Sequence, residues 1–152
     1  MAKELTLIAM VNIPANTKAH SVVPVSFTVD PQLGPQNSIQ IPKGKAWIVK
    51  DVYTTESPSV DCIIQFMKND EGPILQTDPL STLIVTNPAK PKYKPLYYEE
   101  FSKLSAKAVT LADAGTGGAT VTFYIKVEEV PATSGAPGRP SGLAKIKALL
   151  KG

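Results

Sequence analysis

Apolar and polar residues alternate most cleanly between Ala119 and Val130. Val121, Phe123, Ile125 and Val127 fall on one side there, and Thr120, Thr122, Tyr124, Lys126 and Glu128 on the other. A period of two is what a strand with one buried face requires, and β-branched and aromatic residues suit that half-buried, pleated surface. The stretch follows a glycine turn and stops at Pro131, so it predicts a central strand against which earlier strands pair.

The same pattern recurs in shorter form along the chain. Leu5–Asn12 reads as a strand of mixed alternation, broken by Pro14-Ala15-Asn16. His20–Asp30 follows, with Val23, Val25, Phe27 and Val29 on one face and Pro24 on the other, which fits an edge or a bulge. Ser38–Pro42 is a short strand, and Lys43-Gly44 reads as a tight hairpin into Lys45–Thr55. Lys50 and Asp51 interrupt that strand and predict a bulge or a partly wet face. Asp61–Lys68 is apolar on both faces, the signature of a strand covered on both sides. Asn69-Asp70-Glu71-Gly72 closes a hairpin onto Pro73–Thr77.

Beyond it, Ser81–Thr86 is a further short strand, although Asp78-Pro79-Leu80-Ser81 also suits one helical turn. Asn87–Lys103 is a long, proline-punctuated connection. Ser105–Ala112 is the next strand, with Ala106, Ala108 and Leu111 facing inward. Gly115-Thr116-Gly117-Gly118 turns the chain into the last strand; a phosphate cradle would need a helix to follow. Eight or nine short strands at this spacing predict an all-β sandwich or barrel over residues 1–130.

Residues 131–152 differ in kind. Val130–Ser141 is a Pro/Gly/Ser linker. After it, Leu143, Ile146, Leu149 and Leu150 recur at helical spacing, with Lys145, Lys147 and Lys151 mostly off the stripe. The pattern predicts a short C-terminal amphipathic helix, too short to be stable alone in water and therefore in want of a partner.

Charge sharpens this division. Residues 1–130 carry 12 lysines against 13 acids, whereas 131–152 carry Arg139, Lys145, Lys147 and Lys151 with no acid. A neutral body with a basic tail points to an anionic partner, nucleic acid or an anionic membrane, reached through those four residues. No stretch has a signal-peptide shape or the length of a membrane-spanning helix. The single cysteine, Cys62, excludes an internal disulfide framework and reads as a buried, inert thiol.

Chemistry is sparse. His20 is the only histidine, and no nucleophile elbow accompanies it. Glu128 and Glu129 are adjacent on a strand and so face opposite sides, which rules out a carboxylate dyad there. Neither a zinc nor a calcium pattern is present, so no catalytic residue, metal, cofactor or small-molecule substrate is expected. Lys90–Tyr98 (KPKYKPLYY) interleaves lysines with aromatics, but Glu99 and Glu100 follow at once. It reads as an exposed loop whose Tyr93, Tyr97 and Tyr98 anchor a subunit contact.

The strand count, short turns, long loops and basic tail resemble a single jelly-roll capsid protein of an icosahedral virus, with the tailless viruses of thermophilic archaea as the nearest class. The resemblance covers residues 5–130 as a strand pattern and 131–152 as a tail. It implies a non-enzymatic virion protein, assembled in the host cytoplasm into a homo-oligomeric shell with other virion proteins. It further implies a jelly-roll-like antiparallel β-sandwich of two facing sheets. Independently of the resemblance, the linker allows the stripe of Leu143, Ile146, Leu149 and Leu150 to cross to a neighbouring subunit and tie the assembly together. That family often carries its basic arm at the N-terminus, and here the arm is C-terminal. Two other readings stay open. One is a carbohydrate-binding β-sandwich module with Trp47, Tyr53, Tyr97 and Tyr98 as its aromatic platform. The other is a β-rich filament subunit that donates a terminal strand.

Overall fold

A computed structural model describes residues 3–29, 32, 34–84 and 94–132. The described chain is all-β and antiparallel. Its strands are β1 (Lys3–Ile13), β2 (Val22–Thr28), β3 (Ser38–Gln40), β4 (Lys45–Tyr53), β5 (Cys62–Lys68), β6 (Glu71–Gln76), β7 (Leu96–Tyr98), β8 (Lys103–Thr110) and β9 (Ala119–Pro131). One 3-10 turn, Leu80–Thr82, follows β6.

The pairing is nested. β1 pairs with β9, β2 with β8, β4 with β7 and β5 with β6, as if one long hairpin had its tip at Asn69-Asp70. Two lateral pairings, β4 with β9 and β5 with β8, then roll that hairpin into a single curled sheet of order β6-β5-β8-β2-β1-β9-β4-β7. β2 belongs to both halves. Val22, Val23 and Pro24 pair with β8, whereas Val25 to Thr28 pair with β1. Pro24 is the last residue on the β8 side, and its missing N–H withholds a donor where the chain leaves that edge. β3 then takes the vacated edge of β8 at Lys103–Ser105.

One face of the curl forms the core. Leu7, Ala9, Val11 and Ile13 of β1 meet Val121, Phe123, Ile125 and Val127 of β9. Cys62, Ile64 and Phe66 of β5 and Leu104, Ala106 and Ala108 of β8 join the same buried cluster. Each large aliphatic or aromatic side chain buried in this way contributes about 1.5–3 kcal/mol. β9 lies between β1 and β4, so the cleanest alternation in the sequence does mark a central strand. The bulge expected around Lys50 falls between Val49 and Asp51.

Several expectations are corrected. β5 is fully buried on one face only; Ile63, Gln65 and Met67 on the other face are half-buried. Leu111 is not inward; Thr110 is, with its hydroxyl donating to the Lys18 carbonyl at 2.9 Å and accepting from the Ser21 N–H at 3.0 Å. Lys43-Gly44 closes no hairpin, since β3 pairs with β8 while β4 pairs with β9 and β7. The helical alternative holds at Leu80–Thr82, and of Ser81–Thr86 the described part makes only a bridge from Ile84 to Thr54. Gly115–Gly118 likewise joins two strands that do not pair with each other. Gly118 has φ +70°, and a Cβ there would lie 2.6 Å from the Ile13 carbonyl oxygen, so only glycine lets β9 start so close to the end of β1.

The strand directions sort the connections to two ends. Residues 14–21, 54–61, 77–84 and 111–118 lie at one end and bond to one another. Asn16 N–H donates to Gly115 O, Leu111 N–H to Asp61 O, and Thr54 N–H to Leu83 O. The other end carries residues 41–44, Asn69-Asp70, Glu99–Ser102 and both ends of the rolled hairpin. Lys3 is opposite Glu129 there, Lys45 is opposite Pro131, and Ala132 N–H donates to Gly44 O.

Candidate assembly surface

The residues expected at subunit contacts meet different fates. Tyr93, Arg139, Leu143, Lys145, Ile146, Lys147, Leu149, Leu150 and Lys151 lie outside the described residues. Tyr97 and Tyr98 sit on β7, a three-residue strand inside what reads in the sequence as a loop. Tyr98 is not a surface anchor. It is fully buried, its hydroxyl donates to the Met67 carbonyl at 3.1 Å, and Lys68 Nζ stands 5.6 Å from its ring centroid. Burial pushes its phenol pKa up. The strand pair Trp47–Tyr98 turns the ring inward, because β7 alternates like any other strand. Tyr97, on the opposite face, is half-buried.

The aromatic platform for sugars named from the sequence is not formed either. Trp47 is buried and its indole N–H donates to Glu129 Oε2 at 2.9 Å, while Tyr98 is in the core. Cys62 is buried as expected. Burial, with Asp61 alongside, pushes its thiol up to about 11, so it stays protonated and unreactive near neutral pH.

The end that holds both termini of the rolled hairpin carries a feature absent from the sequence reading. Phe101 is 54% exposed and has φ +66°, a left-handed conformation that suits glycine or asparagine and strains a bulky residue. The turn around it is over-determined. Phe101 N–H donates to Ile41 O at 2.9 Å, Ser102 N–H to Glu99 O at 3.1 Å, the Ser102 hydroxyl to the same oxygen at 2.6 Å, and Gln40 Nε2 to Phe101 O at 3.3 Å. The preceding carboxylates are anchored beside it, Glu99 on Lys68 at 2.8 Å and Glu100 on the Gly44 N–H at 2.9 Å. Gly44 also accepts the Ala132 N–H, so the chain leaves the sheet next to this acidic, aromatic turn. No pattern in Glu99–Ser102 signals the left-handed Phe101, because φ is set by the contact with residues 40–41, far away in sequence.

Among the described residues no group of three or more His, Cys, Asp or Glu is placed to hold a metal ion, and no helix is long and apolar enough to cross a membrane. Compared with known proteins, the chain matches no family model and no curated protein at a significant level.

Proposed function

We propose that this chain is a structural subunit of a protein shell, built as a single jelly roll that assembles with copies of itself. Support for the jelly roll comes from the nested pairing rolled into the halves β1-β9-β4-β7 and β2-β8-β5-β6, the order of an eight-stranded double Greek key. Fold alone does not assign function. The observation that carries the reading is the exit of the chain at Ala132, beside the strained, exposed Phe101 and its two flanking carboxylates.

The twenty residues that follow carry an apolar stripe flanked by lysines. The stripe of one subunit, folded as an amphipathic helix, docks on the Glu99-Glu100-Phe101 turn of the next. Leu143, Ile146, Leu149 and Leu150 cover the exposed ring, and Lys145, Lys147 and Lys151 stay outside the contact, available to an anionic genome or membrane. Residues 133–141, if extended, span about 28 Å, enough to leave one body and reach another.

Sedimentation and negative-stain microscopy of the full chain, with and without nucleic acid, test the reading. Closed particles or large oligomers are expected, and a strict monomer over a wide concentration range would overturn it. Phe101→Gly separates function from stability. Glycine relieves the left-handed strain at a cost of lost ring contacts only, so the melt should stay within about 1 kcal/mol of the parent. Assembly should nonetheless weaken at least tenfold in critical concentration.

A further inference from the structure

At the end opposite the termini, the Thr54–Ser59 connection folds over the first residues of β9 and leaves a pocket of about 280 Å³. We propose that this pocket binds a neutral saccharide. The site is independent of the assembly reading, since its residues share nothing with the Glu99–Phe101 turn.

Its walls are hydroxyl-rich. Thr54, Thr55, Ser57, Ser59, Thr120, Thr122 and Tyr124 line it with Glu56, and only Pro58 and Val121 are apolar. The lining contains no Lys, Arg or His, which excludes a phosphate or other anion as its natural occupant. So few apolar walls offer nothing to a lipid tail, and a single carboxylate does not make a cation site. A neutral polyol matches what remains: hydroxyls that donate and accept, and one carboxylate that accepts from sugar O–H groups.

The loop is fixed rather than loose. The buried Thr54 hydroxyl shares its one proton between the Glu56 carbonyl at 3.1 Å and the Thr122 carbonyl at 3.3 Å, which ties the loop to β9. The Thr120 hydroxyl is held on Asn12 Oδ1 at 3.2 Å. Thr55, Glu56, Ser57 and Ser59 remain exposed at the mouth.

An aromatic side chain completes the lining. Tyr124 lines the pocket, and Tyr53, its cross-strand partner on β4, stacks against it with centroids 5.4 Å apart and planes at 26°. A ring braced in this way holds its orientation and offers the sugar an aromatic contact at little cost in side-chain entropy. The volume lies just below the roughly 300–1,000 Å³ of small-molecule sites, so the occupant is a single sugar ring.

Saturation-transfer difference NMR on the full chain tests this, because it reads weak ligands and tolerates a large assembled receptor. The probes are glucose, galactose, mannose and N-acetylglucosamine, each alone at millimolar concentration. At least one should receive saturation on its ring C–H protons. Tyr124→Ala should weaken that probe about tenfold, the loss of one stacking contact, and Glu56→Gln, an exposed change that leaves the melt untouched, should weaken it as well. Lys107→Gln, an exposed change on β8 outside the pocket, should leave it unchanged. No transfer to any of the four, transfer that survives in both pocket variants, or displacement of the sugar by inorganic phosphate would each overturn the proposal.

Discussion

Replacing Ile146 and Leu149 together by aspartate is expected to abolish assembly while the β body keeps its cooperative melt. Each apolar side chain contributes about 1.5–3 kcal/mol when buried, and ordering a helix costs about 1–2 kcal/mol per residue. A four-residue stripe therefore docks only where a neighbour supplies a partner surface, and it has no margin for two charges in the contact. Placing two carboxylates opposite Glu99 and Glu100 adds like-charge repulsion to the lost burial. Replacing Lys145, Lys147 and Lys151 by glutamine should act on a different property. Assembly persists, nucleic-acid or lipid binding falls, and its salt dependence becomes shallower. Sedimentation reads the first effect and filter binding across a salt series the second. If the double aspartate variant sediments like the parent, the stripe does not tie subunits together.

The second large effect lies in the core. Phe123→Ala should lower stability by about 3–5 kcal/mol, the cost of a large-to-small change at a site that cannot collapse. Phe123 is fully buried on β9 opposite Ala9 of β1, whose pairing with β9 runs unbroken from Lys3 to Ile13, and on the other side the bulged β4 ladder reaches the adjacent Tyr124. Backbone movement to fill the cavity would break ladders on both sides at once. Since whole domains are stable by only about 5–15 kcal/mol, the variant should melt many degrees lower in a denaturant or thermal scan. A change below about 1 kcal/mol would mean that the core repacks freely around the vacancy.

Much of this architecture is legible in the residues because period-two patterning survives wherever one face of a strand is buried. β2, β8 and β9 announce themselves in that way, and the proline at position 24 marks the point where β2 changes partners. Pairing is harder to read. Lys43-Gly44 and Gly115–Gly118 have hairpin chemistry yet serve as crossings, since a glycine turn specifies a local bend and not which strand the chain meets next. β7 is hidden for another reason. Three residues give too short a run for periodicity, and the prolines before it suggest a loop, so Tyr98 reads as an exposed anchor although it fills the core. The pocket is least legible of all, because Thr54–Ser59 acquires its meaning only from Thr122 and Tyr124, which the register of β4 on β9 brings alongside.

Nested pairing also sets a timetable. Lys3 pairs with Glu129, so the first strand made waits for the last. At the usual 5–20 residues per second, translation separates them by roughly 6–25 s. During that interval β1 and β4 stand with an empty lane between them, each showing an unpaired edge. Such a high-contact-order chain folds slowly even once complete, in about milliseconds to seconds. Its most exposed moment is therefore on the ribosome, and the arrival of β9 is the step that converts a sticky, half-built sheet into a closed body.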